Sequence, residues 1–288
     1  MTIEQIRTVG VAGAGSMGSG IAQVAAQAGF DVKVVDTTEA AWERARKGIV
    51  RSLERLVARE KMTAERMQEA LGRISFSTDP ATLSGVPFLF EAVFEDLAVK
   101  KELFGKLDAL CGEGTVYATN TSSISITEMA SLVARPAQFV GMHFFNPVPV
   151  MRLVEVIPAM QTAPQTVDLA RAMAAKLGKT AITCKDTPGF VVNRLLVPYM
   201  LDAVRLLEAG VASAEDIDTA MKLGAGMPMG PFELMDFTGV EISYLVGEIF
   251  FQYTKEPRFA PPGLIRNMVK AGYLGKKTGK GFYDYSGK

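Results

Sequence analysis

The hydrophobic positions fall into two regimes along the chain. In the long N-terminal part, short apolar runs alternate with stretches in which apolar residues recur every three or four positions. The runs at residues 8–12, 31–36, 74–77, 87–93, 115–118, 153–157 and 181–184 read as strands, as does the one that ends near residue 143. Between them, residues 19–28, 40–59, 64–71 and 97–110 have helical spacing, and Ser125-Ile-Thr-Glu128 has the form of a capping box that opens another helix. Strands that alternate with helices predict an α/β domain built on a parallel, doubly wound sheet. From residue 190 the pattern is helical: 190–209, 213–223, 232–237, 241–253 and 264–271. The chain therefore divides into an α/β domain over residues 1–186 and an all-helical domain over 187–288, with Pro188-Gly189 as the joint. A length of 288 residues suits two domains.

Composition narrows the function classes. Hydrophobic residues make up 48% and charged residues 22%, which is ample for a globular core. Lys+Arg and Asp+Glu are equal at 31 each, so there is no basic excess to point to nucleic acid or to a membrane surface. No apolar run approaches the roughly 20 residues that span a bilayer, and the first residues lack a basic stretch followed by an apolar one, so a cytoplasmic protein is expected. Cys111 and Cys184 have no metal-ligand spacing and only one histidine is present, so no metal is expected; a reducing compartment fits, with one disulfide left open.

The first strand runs into Gly13-Ala-Gly15-Ser16-Met17-Gly18, a helix follows, and the second strand ends in Asp36. A glycine triplet alone is a weak signal, but strand, helix and acidic residue in this order form a dinucleotide-binding fingerprint of the Rossmann type. Gly13 permits the tight turn, Gly15 lets a pyrophosphate approach the backbone, and Gly18 lets helix and strand pack closely. The helix N-terminus offers N–H groups to phosphates. Asp36 accepts from ribose hydroxyls and repels a 2′-phosphate, which favours NAD over NADP; FAD is a smaller alternative within the same fingerprint.

His143 is the single histidine, so acid/base work that needs an imidazole falls on it. Histidine changes charge near pH 6.5, and Glu155, across a proline-stiffened turn, is placed to orient it and to stabilise its cation. A lone histidine that merely satisfies a local hydrogen bond is the plain alternative. Ligands of doubly wound sheets lie at the carboxyl ends of the strands. Asn120-Thr-Ser122-Ser123 follows one strand there and His143 lies near the end of the next, so the two converge over a nicotinamide. Asn193, on the first helix of the second half, reads equally as a ligand contact or as a helix-turn residue. The apolar stretch at 244–251 is buried internally or against a second copy of the chain.

Six separated motifs in order complete the picture: Gly13-Ala-Gly-Ser-Met-Gly18, Asn120-Thr-Ser-Ser, His143-Phe-Phe-Asn-Pro-Val-Pro, Asp186-Thr-Pro-Gly-Phe-Val-Val-Asn-Arg194, Met227-Pro-Met-Gly-Pro-Phe-Glu-Leu and Gly275-Lys-Lys-Thr-Gly-Lys-Gly-Phe. Through these the chain resembles, along its whole length, the 3-hydroxyacyl-CoA dehydrogenase family, and within it the short, stand-alone bacterial members acting on 3-hydroxybutyryl-CoA. The resemblance implies an oxidoreductase that moves a hydride between NAD and C3 of an (S)-3-hydroxyacyl-CoA, in fatty-acid or butyrate metabolism; a homodimer is expected from the apolar stretch at 244–251. It implies His143 as catalytic base, Glu155 as its carboxylate partner, Ser122 against substrate and nicotinamide, and Asn193 near the substrate oxygen. For NAD it adds Glu95, Lys100, Asn146 and Lys277 to the glycine loop and Asp36. For coenzyme A it suggests Ser52 and Arg59; the family often has lysine at the latter position, which keeps the charge and not the geometry. Lys100 and Lys277 equally read as solvated surface lysines.

Two rivals stand beside this reading. A lysine-type β-hydroxyacid dehydrogenase joins similar domains, but the His143/Glu155 pair and the Asn-Thr-Ser-Ser segment argue against it. An inactive nucleotide-binding or structural relative, such as the lens crystallin related to the family, keeps the fold without turnover.

Overall fold

The computed structural model describes residues 1–287. Its contacts divide the chain into two compact units, one from Met1 to Thr187 and one that starts at Pro188. The first unit runs β1 (Thr8–Ala12), α1 (Ser16–Gln27), β2 (Asp31–Val35), α2 (Glu39–Ala58), α3 (Ala64–Gly72), β3 (Ile74–Ser77), β4 (Phe88–Glu91), α4 (Leu97–Leu110), β5 (Val116–Thr119), α5 (Ile126–Ala130), β6 (Phe139–Phe144), β7 (Leu153–Pro158), α6 (Pro164–Lys176) and β8 (Thr180–Thr183). Its strands form one eight-stranded sheet in the order β3-β2-β1-β4-β5-β6-β7-β8.

Every neighbouring pair is parallel except β6 and β7, which are antiparallel. The sheet is thus mixed, where the pattern of strands and helices predicts a parallel one. The reason is the connection from Phe145 to Arg152, which is too short for the crossover that parallel neighbours need. A second difference is α6, absent from the pattern reading above. Its buried Thr166, Leu169, Ala170, Met173 and Ala174 do follow helical spacing, but alanines on the other faces blur the contrast on which amphipathic patterns depend.

The central strands are apolar because both faces are covered: Val9, Val11, Val32, Val34, Phe88 and Phe90 are at most 1% exposed. Each such side chain contributes about 1.5–3 kcal/mol when fully buried. Helix starts are fixed by side chains that accept orphan N–H groups: Thr38 from Ala41, Thr63 from Arg66, and Asp96 from Ala98 and Val99.

The second unit holds α7 (Val192–Glu208), α8 (Ala214–Gly224), α9 (Pro231–Thr238), α10 (Val240–Thr254) and α11 (Gly263–Lys270), and among the described residues its extended pairing is limited to isolated bridges at Gly275, Lys280 and Asp284. Its own core gathers Leu201, Val204, Phe232, Met235, Phe250 and Ile265. No described helix is long and apolar enough to cross a membrane.

Candidate active site

The site residues of the first unit lie where β1, β2, β4, β5 and β6 end. β1 runs into the glycine loop. Gly13 has φ 102°, and a Cβ there would strike the Ala92 carbonyl. A Cβ on Gly18 would strike the carbonyl of Gly13, so the helix approaches the loop as closely as backbone allows. Around Gly15 a Cβ meets nothing within 4 Å. The loop is thus tight where it must turn and open at its tip, where the first N–H groups of α1 point.

Asp36 follows β2. Its Oδ2 accepts the Ala14 N–H at 2.6 Å and its Oδ1 the Thr37 N–H at 2.7 Å, so the carboxylate also holds the loop against β2. Oδ1 also accepts the Thr37 hydroxyl at 3.3 Å, whereas Oδ2 keeps a further lone pair for a ribose hydroxyl. A cavity of about 600 Å³ opens beside it, lined by Gly13, Gly15, Asp36, Pro80, Phe94 and Leu103 among others. An open glycine tip, a carboxylate and an apolar cavity on one side of the sheet fit the adenosine half of NAD.

β6 and β7 set the proton-handling pair. Their antiparallel register puts His143 directly opposite Glu155, and opposed residues project from the same face. His143 Nδ1 lies 2.7 Å from Glu155 Oε2. Both residues are buried, the glutamate completely. A carboxylate accepts, so Nδ1 carries the hydrogen of that bond and Nε2 is the basic nitrogen of the ring. Phe145 packs on the imidazole, with ring centroids 4.6 Å apart.

The turn after β6 carries Asn146, whose Oδ1 accepts the Ser16 hydroxyl at 3.3 Å. That turn is tied down twice. Lys179 Nζ donates to the carbonyls of Val148 (2.5 Å) and Met151 (2.8 Å), and burial pulls its amine below the ordinary lysine range. Gly20 of α1 lets the turn approach, since a Cβ there would meet Val148 at 2.7 Å.

The segment after β5 carries Ser122. Asn120 Oδ1 accepts the Phe144 N–H at 2.8 Å, which joins this segment to the residue beside His143. Glu95 Oε1 accepts the Thr121 hydroxyl and the N–H groups of Ser122 and Ser123. Burial opposes ionisation of Glu95, but the Lys100 ammonium and these hydrogen bonds outweigh it and hold the carboxyl below its usual range. Asp186 receives the N–H groups of Ile126 and Thr127 and the Ser125 hydroxyl, and so caps α5. Ser125 accepts from Glu128 N–H, the forward half of the expected capping box.

The expected site residues thus separate into groups. The structure brings together Gly13, Gly15, Ser16, Gly18, Asp36 and Asn146, and beside them His143 with Glu155 and Glu95 with Ser122; Met17 lines the same cavity as the loop. Lys100 is not a solvated surface lysine: its side chain is 1% exposed and its Nζ contacts Glu91 and Glu95. Ser52 and Arg59 sit on α2 and at its C-cap, two turns apart on one face. Asn193 and Lys277 belong to the second unit, Asn193 in the first turn of α7 and Lys277 paired with Glu241. The sequence placed Glu91 within a strand and left Thr119, one residue past the strand read at 115–118, without a role. The only signal was an acid ending an otherwise apolar strand, Phe88-Leu-Phe-Glu91.

Both cysteines are free. Burial first, then the charges of Glu155 and Asp186, push the Cys184 thiol up to about 11, which keeps it protonated and a poor nucleophile. Among the described residues no cluster suited to a metal ion occurs.

Comparison with known proteins shows the family and the fold. Residues 8–187 match the family profile "3-hydroxyacyl-CoA dehydrogenase, NAD binding domain", and residues 189–285 match its C-terminal domain. The chain is 46% identical to a 3-hydroxybutyryl-CoA dehydrogenase of Mycobacterium tuberculosis, covering 98% of this chain and 99% of the relative. It is 47% identical to the mitochondrial hydroxyacyl-coenzyme A dehydrogenase of Rattus norvegicus, over 97% of this chain and 91% of the relative. The crystal structure of (S)-3-hydroxybutyryl-CoA dehydrogenase from Ralstonia eutropha superposes with a TM-score of 0.95 at 44% identity, covering 98% and 99% of the two chains.

Proposed function

The chain belongs to the 3-hydroxyacyl-CoA dehydrogenase family, as an NAD-dependent enzyme, and from that premise we propose that it interconverts (S)-3-hydroxybutyryl-CoA and acetoacetyl-CoA with His143 as general base. The observation that carries the reading is the buried His143–Glu155 pair, 2.7 Å apart at the carboxyl end of β6.

In the oxidising direction Nε2 of His143 takes the proton of the 3-hydroxyl, and Glu155 stabilises the imidazolium through Nδ1–H. In reverse, His143 returns the proton to the 3-keto oxygen. When bound, NAD supplies the acceptor, or in its reduced form the donor, of the hydride at C3. The glycine loop with Ser16 and Met17 cradles the pyrophosphate, Asp36 receives the ribose, and Glu95, Asn146 and Lys277 complete the nucleotide contacts. Ser122 meets the substrate and nicotinamide, and Asn193 the substrate oxygen. Ser52 and Arg59 take the coenzyme A portion. The exposed residues Ile242, Leu245, Ile249 and Tyr253 on α10 recur at helical spacing, and a second copy of the chain is their proposed cover.

The test is the initial rate of NADH oxidation with acetoacetyl-CoA, run beside free acetoacetate and beside NADPH. Fast turnover of the thioester with NADH and little of the free acid is the expected result. NADH binding without turnover would leave an inactive nucleotide-binding protein.

A further inference from the structure

The segment that carries Ser122 rests on a charged group buried beneath it. Lys100 Nζ donates to Glu91 Oε1 at 2.7 Å and lies 3.2 Å from Glu95 Oε2. Two branches leave this ammonium. Through Glu91, Oε2 receives the Thr119 hydroxyl at 2.6 Å, and the Thr119 oxygen in turn accepts the Thr121 N–H at 3.2 Å. Through Glu95, Oε1 receives the Thr121 hydroxyl at 2.5 Å and the N–H groups of Ser122 and Ser123 at 2.9 and 3.1 Å. The two branches meet at Thr121, the Glu95 branch going on to Ser122 and Ser123, and Asn120 ties that segment to the backbone beside His143.

An ammonium with 1% side-chain exposure carries a large desolvation cost, which only close, well-aimed partners offset. An apolar residue at position 100 would avoid that cost, but Glu91, which is fully buried, would then lose its counter-charge. The arrangement has one evident consequence: two carboxyl groups tied to one ammonium hold Thr121, Ser122 and Ser123 in a single backbone geometry. The Ser122 N–H is held on Glu95, and the backbone so fixed aims Ser122 Oγ.

We propose that Lys100 and Glu91 are positioning residues, which act through Glu95 and Thr119 to fix the Thr121–Ser123 backbone, rather than by touching nucleotide or substrate. The inference rests on the reading above that Ser122 meets substrate and nicotinamide.

The deciding variants are Thr119→Val, which removes the hydroxyl that links Glu91 to the segment, and Thr119→Ser, which restores it. Lys100→Met is the stronger perturbation. Misplacing a reacting group by about 1 Å costs roughly 10²-fold, so Thr119→Val is expected to lower kcat about 10- to 100-fold while the Kd for NADH changes by less than about threefold. Thr119→Ser regains wild-type kcat, and Lys100→Met loses more kcat than Thr119→Val, again with NADH affinity nearly unchanged. Hydrogen exchange at the Ser122 and Ser123 amides is faster in Thr119→Val and Lys100→Met and normal in Thr119→Ser. Unchanged exchange in Thr119→Val overturns the proposal. A weaker NADH affinity in Lys100→Met with unchanged kcat at saturation makes Lys100 a nucleotide contact and also overturns it. If Lys100→Met does not fold, the Thr119 pair decides alone. Failure of the wild type to reduce acetoacetyl-CoA counts against the assigned reaction only, since the exchange measurement is independent of turnover.

Discussion

Both units bury carboxylates, and they satisfy them in opposite ways. In the first unit Glu155 faces an imidazole and Glu91 an ammonium. In the second, Asp218 accepts the N–H groups of Phe232 and Glu233 and the Tyr283 hydroxyl. Asp236 accepts the N–H groups of Phe282 and Tyr283 and the Tyr285 hydroxyl. Burial, and then these aspartates, push both tyrosine hydroxyls upward, so they remain protonated donors. Amides and such phenols do not change charge near neutral pH. Asp218 and Asp236 therefore anchor the C-terminal segment onto α8 and α9, and the segment leaves no slack: a Cβ on Gly275 or Gly281 would collide with Asp236. The contrast gives a rule for reading buried charge. A carboxylate met by backbone N–H groups, protonated phenols or a buried ammonium builds architecture, whereas Glu155, met by the one imidazole, is placed to do chemistry.

The strongest way to break this contrast is at the histidine. His143→Ala removes the base, and kcat is expected to fall about 10²–10⁴-fold with NADH affinity close to wild type, while Tm falls because the completely buried Glu155 loses its partner; steady-state kinetics beside NADH titration would check it, and near-normal turnover removes His143 from the mechanism. Glu155→Gln keeps the shape and the acceptor oxygen but deletes the charge that stabilises the imidazolium. A loss in kcat of about 10²-fold with a smaller change in NADH affinity is expected, and unchanged kinetics would place Glu155 with the architectural acids. Asp236→Asn should behave in the opposite sense. It sets an amide NH₂ against buried donors, a penalty of about 1–3 kcal/mol that lowers Tm while kcat per folded molecule holds. A fall in kcat without a fall in Tm would erase the distinction between the units.

The smallest effect is expected at Glu95, which is only partly shielded from solvent. Its carboxyl titrates below the ordinary value of 4.5, so the stability it contributes is fully present above that value and is lost as pH falls through the depressed one. Glu95→Gln should therefore lower Tm slightly near neutral pH and leave it unchanged in strong acid. A Tm difference that persists undiminished at low pH would mean that the charge is not what holds the Thr121–Ser123 segment.

Much of the site was legible without coordinates, and the reasons differ by residue. The glycine loop and Asp36 are legible because phosphate and ribose contacts are made by backbone, and backbone demands on glycine are local. His143 is legible through scarcity, as the one imidazole in the chain. Helices such as α4 are legible from their spacing, and α5 from its capping box, while α6 was missed because alanines on its other faces blur the apolar stripe.

What the sequence determined by itself is the alternation of strand and helix, the all-helical second half, the glycine turn and the identity of the single base. Tertiary structure decided the rest. The short β6–β7 connection reverses β7, and that reversal, with its register, sets Glu155 against His143. Packing of α4 under the sheet turned Lys100 from a plausible surface residue into the buried partner of Glu91 and Glu95. Local patterns report what a residue's immediate neighbours require of the backbone. Burial and charge pairing depend on segments far apart in the chain, which become neighbours only when the sheet is assembled.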